Sequence, residues 1–362
     1  MSGLRGSETP LTERYDAALF DLDGVLYLQE EPVAFASDGV AAARAAGMRI
    51  GFVTNNASRR APVVVALLAK VGIEGSEAEV VTAAQASAAL LAEELPAGAS
   101  VLIVGAQGLA DEVADVGLRP VRSADEKPAA VVQGYAREVG WEQLAEAAVA
   151  LREGALWVAT NRDFTIPSSR GPLPGNGALV AALVTAVRRE PDVVVGKPHP
   201  RLHQESVRRT GAQRPLVVGD RLDTDIAGAV NGGADSLLVL TGVTEARELL
   251  SAGPGERPTY LAADLRGLAQ PHPEVTSAPD GAACGGWTVR ADGAGLVLGG
   301  SSDSSRSAGG ASGSSGADVD ALRALAVAAW ALPGADSAEW AGPSNVEAEG
   351  DAAAAALRAL GL

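Results

Sequence analysis

Two acidic segments, each behind an apolar run, hold the residues best suited to chemistry: Asp21-Leu22-Asp23-Gly24-Val25 and Gly219-Asp220-Arg221-Leu222-Asp223-Thr224-Asp225. Thr54 closes Ile50-Gly51-Phe52-Val53-Thr54-Asn55-Asn56, and Lys197 lies in Val195-Gly196-Lys197-Pro198, again directly after apolar β-type residues. Carboxylates, a hydroxyl and an ammonium at the carboxyl ends of strands suit metal-assisted phosphoryl transfer, because an open α/β sheet builds its site there. Asp21 ends its strand and is the candidate nucleophile. Asp23, two residues on, is the candidate general acid and then base. Asp21, Asp23 and Asp220 form the candidate metal set for Mg²⁺, with Asp21 and Asp220 as carboxylate ligands and Asp225 orienting them from behind. Thr54 offers a hydroxyl donor, and Asn55 and Asn56 are candidate phosphate contacts as the chain approaches a helix expected near Ser58. Lys197 is the compact cation that would neutralise nucleophile and phosphate.

Each segment also has a plain structural reading. Asp-x-Asp-Gly serves turns, Gly-Asp caps helices, and a threonine or lysine at a strand end needs no further role. Four strand ends in this order, each with a residue type that one reaction requires, favour the chemical reading. A non-catalytic phosphate binder would have no use for Asp23 as a proton shuttle.

The elements that must position these residues alternate in the text up to about residue 270. Apolar β-type runs are expected at 17–21, 49–54, 101–105, 129–133, 156–160, 193–195, 216–220 and 236–240, with helix-period stretches between them. This pattern predicts an α/β fold, a doubly wound Rossmann-like parallel sheet with helices on both faces. Ser58 and Thr224 stand where helix N-caps are expected. From Asp21 to Thr54 the chain spends 33 residues, one crossover, whereas Thr54 to Lys197 spans 143 and has room for a domain. The expected organisation is therefore a core of residues 1–79 and 190–270, an inserted α/β cap at 80–189, and a small α+β C-terminal module at 271–362. A hairpin turning at Asp292-Gly293 and two helices are expected in that module, around a Ser/Gly-rich segment at 299–316. Trp287, Trp330 and Trp340 are its expected core. Gly105-Ala106-Gln107-Gly108 lacks the third glycine of a dinucleotide fingerprint and reads as a βα turn, and His199 before Pro200 reads as part of a turn.

Taken together, the four segments resemble the motifs of the haloacid dehalogenase superfamily of phosphohydrolases. Asp21 and Asp23 match the first motif, Thr54 the second, Lys197 the third, and Asp220 with Asp225 the fourth. A cap between the second and third motifs is similar to the C2-capped branch. The resemblance covers about residues 14–270 and implies a Mg²⁺-dependent phosphomonoesterase acting through an aspartyl phosphate. In that branch the loop Pro174-Gly175-Asn176-Gly177 faces the substrate, which makes Gly175, Asn176 and Gly177 the specificity candidates, with Asn161 and Asp163 behind them. Segments 101–121, 154–159 and 174–177 are similar to actinobacterial members, whose C-terminal region is acetyltransferase-like. That likeness implies glycerol 3-phosphate as the ester and a place in glycerol metabolism and phospholipid recycling; phosphoglycolate and a nucleoside monophosphate are the alternatives. A phosphosugar mutase would carry its cap between Asp21 and Thr54, where only 33 residues are available. Arg306-Ser307-Ala308-Gly309-Gly310-Ala311 fits an acetyltransferase loop pattern, but inside a Ser/Gly/Ala run and in a tail too short for a complete domain of that kind. A tail that packs on the rest, or pairs copies into a homo-oligomer, is the expectation.

Composition sets the outer limits. With 45 acidic against 29 basic residues, a net charge of -16 opposes nucleic acid or an anionic membrane as partner and points to a small phosphorylated metabolite. The same charge repels such a substrate unless a metal and local cations reverse the field, so Mg²⁺ is expected to be obligatory. The single cysteine, Cys284, cannot form an intrachain disulfide. The first 15 residues are polar with no signal-peptide core, and the cytoplasm is the expected compartment.

Overall fold

The computed structural model describes residues 3–300, apart from 167 and 169, and residues 316–362. The Ser/Gly-rich segment, except at its ends, and the whole Arg306–Ala311 pattern lie outside the described residues. The chain divides into two compact units, residues 1–50 with 212–362, and residues 51–211.

The first unit contains four parallel strands in the order Tyr260–Ala262, Asp235–Val239, Pro215–Gly219, Ala17–Phe20. Leu19 stands opposite Val217 and Val218 opposite Leu237. All four residues of Ala17–Phe20 are buried, as expected for a parallel strand covered on both faces. Strand Arg49–Thr54 starts in this unit, where the Arg49 N–H donates to Asp16 O at 3.0 Å, and ends in the second.

In the second unit the remainder of that strand pairs in parallel with Val80–Thr82, Thr54 opposite Thr82. A separate five-stranded parallel sheet follows, in the order Val193–Val194, Leu156–Ala159, Ala130–Gln133, Ser100–Val104, Arg119–Val121. The residues expected to open the cap, 80–82, therefore belong with Thr54. Those expected to lie past its end, 193–194, belong with the five-stranded sheet. The helix after Thr54 has to return to a parallel neighbour of its own strand, and Val80–Thr82 is the first β-branched run able to serve. That helix is Ala61–Lys70, with Arg60 rather than Ser58 at its N-cap and Pro62 in its first turn. Gly105 and the residues after it form a βα turn into helix Gln107–Asp115. His199 is the N-cap of helix Pro200–Thr210.

The tail is built on the first unit. Its sheet runs Thr276–Ala278, Gly281–Cys284, Trp287–Asp292, Gly295–Gly300, Val346–Glu349, antiparallel except for the last pair. The hairpin turns one residue later than expected, at Gly293-Ala294, with Gly293 at φ +62°, a conformation that glycine adopts without strain. Helices Gly316–Trp330 and Asp351–Leu360 complete it. Its apolar residues, among them Val319, Leu322, Leu325 and Leu357, share one core with Leu222, Ile226, Leu238, Leu249 and Leu261. Trp330 is buried there, its indole N–H donating to Leu249 O at 3.0 Å, while Trp287 and Trp340 are partly buried. Among the described residues no helix is long and apolar enough to cross a membrane.

Candidate functional site

In the first unit, two parallel neighbours bring the acidic segments side by side. Asp21 follows Ala17–Phe20, its N–H donating to Val218 O at 2.8 Å, and Asp220 follows Pro215–Gly219. Beyond Asp220 the chain winds through a wide turn at Leu222–Ile226, in which the Ile226 N–H reaches back five residues to Arg221 O. Thr224, expected as an N-cap, lies inside this turn. The turn swings Asp225 back over its own strand end, where its carboxylate accepts the Arg221 N–H at 3.2 Å. Oxygen atoms of Asp21, Asp220 and Asp225 all lie within 4.8 Å of one another. Asp220 and Asp225 are fully buried, Asp21 is half-buried and Asp23 is exposed. Asp225, expected behind the ligands, is thus one of the three gathered carboxylates, and Asp23 is not.

Backbone shape holds Asp220 in place. Its Oδ2 accepts the Val243 N–H at 2.8 Å, and its carbonyl accepts the Thr244 N–H. A Cβ on Gly242 would lie 1.9 Å from that same oxygen, and one on Gly24 would lie 2.3 Å from it. Gly24 also has φ +91°, so the tight turn between Asp21 and the following residues and the approach of Asp220 both require glycine. The Thr241 hydroxyl donates to Gly24 O at 2.7 Å and ties the two loops together. The segment 241–244 escaped sequence reasoning; a Thr-Gly directly after the strand Asp235–Val239 and Leu240 was its only signal.

The carboxylate group tests well as a metal site. Gathering three carboxylates, two of them away from water, is repulsive, and a divalent cation offsets that cost. An all-oxygen donor set suits a hard cation such as Mg²⁺ or Ca²⁺.

The second unit holds the remaining candidates. Thr54 is buried, its hydroxyl oxygen accepting the Asn56 N–H at 3.1 Å. Asn56 Oδ1 accepts from the Ser58 N–H, the Ser58 hydroxyl and the Arg59 N–H, so its side chain shapes the turn leading to Ala61–Lys70. Lys197 is buried with Nζ 3.4 Å from Val53 O. Asn55 bonds the backbone of Lys197 from both ends of its amide, and its Nδ2 also reaches Asp163. Asn161 Nδ2 donates to Asn55 O at 2.7 Å.

The loop 174–177 differs from expectation. Asn176 is 1% exposed, and its Nδ2 donates to the carbonyls of Asn161 and Gln133. The N–H groups of Gly175 and Gly177 donate to Phe164 O and Asp163 O. A Cβ at either glycine would come within 2.3 Å of a carbonyl oxygen in the 162–163 strip. These three residues join one loop to another, and the Asn176 side chain is buried. Close backbone packing, rather than recognition, explains both glycines. His199 lies beside Arg162, and burial, followed by that positive charge, pushes its pKa down.

Comparison with known proteins accords with this geometry. A family model for haloacid dehalogenase-like hydrolases matches residues 18–119, and a second, for HAD-hydrolase-like proteins, matches residues 194–268. D-glycerol 3-phosphate phosphatase of Mycobacterium tuberculosis is 44% identical over 352 residues, covering 97% of this chain and 96% of that protein. An acid sugar phosphatase of Staphylococcus saprophyticus is 36% identical over 255 residues, 70% of this chain and 96% of its own. Among solved structures, the glycerol phosphate phosphatase of M. tuberculosis in complex with magnesium superposes with a TM-score of 0.84 at 42% identity, covering 98% of this chain and 99% of that one. Both family-model matches end before the tail, and an acetyltransferase likeness there is not supported by them.

Proposed function

The chain belongs to the haloacid dehalogenase-like hydrolases, and on that premise we propose that this phosphatase hydrolyses glycerol 3-phosphate to glycerol and inorganic phosphate. The gathered carboxylates of Asp21, Asp220 and Asp225 carry the phosphoryl-transfer part of this reading. A match of 44% identity that extends over 97% of this chain, tail included, supports the choice of ester. Asp21, Asp220 and Asp225 would hold Mg²⁺, which supplies positive charge to the transferring phosphoryl oxygens.

In this reading an Asp21 carboxylate oxygen attacks phosphorus as the bond to the ester oxygen breaks, and the Asp23 carboxyl gives its proton to the departing alkoxide. Asp23, now a carboxylate, takes a proton from water as that water attacks the phosphoryl group. The bond from phosphorus to Asp21 breaks, freeing phosphate and restoring the nucleophile. Exposure suits Asp23 to this exchange, since its proton has to meet both alcohol and water. In this reading the Thr54 hydroxyl donates a hydrogen bond to a phosphoryl oxygen, and the Lys197 ammonium offsets the negative charge. The cap insertion is assigned to about residues 83–195, after the strand paired with Thr54.

A panel of glycerol 3-phosphate, phosphoglycolate and a nucleoside 5′-monophosphate, assayed with Mg²⁺ and after chelation, tests the proposal. Glycerol 3-phosphate should show the highest kcat/KM, and chelation should abolish turnover of every ester. Negligible turnover of glycerol 3-phosphate beside another ester would overturn the substrate, and full activity after chelation would overturn the metal.

A further inference from the structure

The geometry points to Asn55 as a positioning residue that acts through Lys197 and not on the substrate. This rests on the reading of Lys197 as the phosphate-neutralising cation. Asn55 Oδ1 accepts the Lys197 N–H at 2.7 Å, and Nδ2 donates to the Lys197 carbonyl at 3.1 Å. One side-chain amide therefore pairs with both backbone groups of a residue 142 positions away, in the manner of a strand neighbour. The orientation of Asn55 is itself set: Nδ2 also lies 3.1 and 3.3 Å from the two carboxylate oxygens of Asp163, and the Asn55 carbonyl accepts from Asn161. Asn161 Oδ1 in turn accepts the Asp163 N–H at 3.1 Å. A Cβ on Gly196 would sit 2.7 Å from Asn55 Oδ1 and 2.7 Å from Thr160 O, so the turn bearing Lys197 lies hard against this amide. With both ends of its amide on the Lys197 backbone, and Nδ2 on Asp163 as well, Asn55 fixes where the ammonium stem begins.

Such a device matters because a cation displaced by about 1 Å loses much of its effect on the transferring group; a loss of about 10²-fold is the scale of that error. The test is a double-mutant cycle on kcat/KM with 4-nitrophenyl phosphate, using Asn55→Ala, Lys197→Ala and the double variant, with Mg²⁺ affinity measured by calorimetry on each. Asn55→Ala should lower kcat/KM by about 10²-fold with Mg²⁺ affinity unchanged. In the Lys197→Ala background the same change should cost less than about twofold. Equal losses in both backgrounds would overturn the inference, as would wild-type activity of Asn55→Ala. Wild-type activity of Lys197→Ala would instead remove the reading of Lys197 on which it rests. Where Asn55→Ala does not fold, the near-isosteric Asn55→Asp, which retains the acceptor for the Lys197 N–H and loses the donor, takes its place in the same cycle.

Discussion

At the scale of single residues, the division of labour among the aspartates follows from where each stands on its strand end. Asp225 reaches the group of three because the turn at 222–226 winds with five-residue spacing; an ordinary α-helical turn would aim it elsewhere. Wide turns of this kind cluster at functional sites, and here the bend delivers a buried carboxylate to within 4.8 Å of two others. Asp225→Asn should therefore weaken Mg²⁺ binding itself, by about 10- to 100-fold in calorimetric titration with the metal alone. An unchanged affinity would return Asp225 to a purely structural place. The aspartates were legible in the sequence because carboxylates after apolar runs are rare enough to stand out. Their ranking was not, since Asp21, Asp23, Asp220 and Asp225 look alike in text and only the backbone path separates a gathered carboxylate from an exposed one. Gly242 and the Val243 N–H were hidden for a related reason: their contribution is absence of a side chain and a backbone donor, neither of which has a residue-type signature.

At the scale of elements, the join between the tail helix Gly316–Trp330 and the strand and loop around Leu261 and His272 is polar and buried. The Arg323 guanidinium donates to Asp320 and to Leu261 O, and lies 3.4 Å from His272 Nδ1. His272 Nε2 faces Gly267 O at 2.9 Å, an arrangement that needs a proton on Nε2 and leaves Nδ1 as the acceptor toward Arg323. Burial above all, and then the charge of Arg323, hold the imidazole pKa down to about 4. The folded chain thus keeps His272 neutral at pH values where the unfolded chain, near 6.5, takes up a proton. Its contribution is complete above about pH 6.5 and is lost as pH falls toward 4, by about 3 kcal/mol in all. Thermal melts at pH 7.5 and pH 5 should show a larger drop for wild type than for His272→Gln; equal drops would assign the acid sensitivity elsewhere. This joint was illegible in sequence. The strands Thr276–Ala278 and Gly281–Cys284 that flank it are built largely of alanine, glycine and serine, which carry little β propensity; they are ordered by pairing with each other and, through Gly281–Cys284, with Trp287–Asp292. Val80–Thr82 was missed for a different reason: its residues are β-branched, but a run of three is too short to stand out from the helix that follows it directly. Long apolar runs such as Val101–Val104 and Leu216–Val218 were plain because burial on both faces demands them.

At the scale of the whole molecule, the net charge of -16 opposes the approach of a dianionic ester, while the proposed chemistry demands that it arrive. The chain has few cations to spend on correcting this near the reaction, and of its 29 basic residues only three are lysines, one of them the buried Lys197. Several of the arginines are already paired with carboxylates: Arg60 with Asp111, Glu112 and Asp115, Arg221 with Asp223, Arg266 with Asp264. On the proposed reading the net charge repels the ester at long range, and attraction has to come at short range, from the cation that Asp21, Asp220 and Asp225 would hold and from Lys197. Surface repulsion of this kind is screened by salt, whereas short-range contacts in a buried site are screened much less. Raising ionic strength from about 10 mM to 100 mM shortens the screening length from about 30 Å to about 10 Å, which should remove much of the barrier to entry without weakening the site. At saturating Mg²⁺, kcat/KM for glycerol 3-phosphate should therefore rise by about threefold or more over that range, with kcat nearly constant. A fall in kcat/KM over the same range would mean that the substrate is steered in by a positive patch, and that the acidic surface has no part in setting the encounter rate.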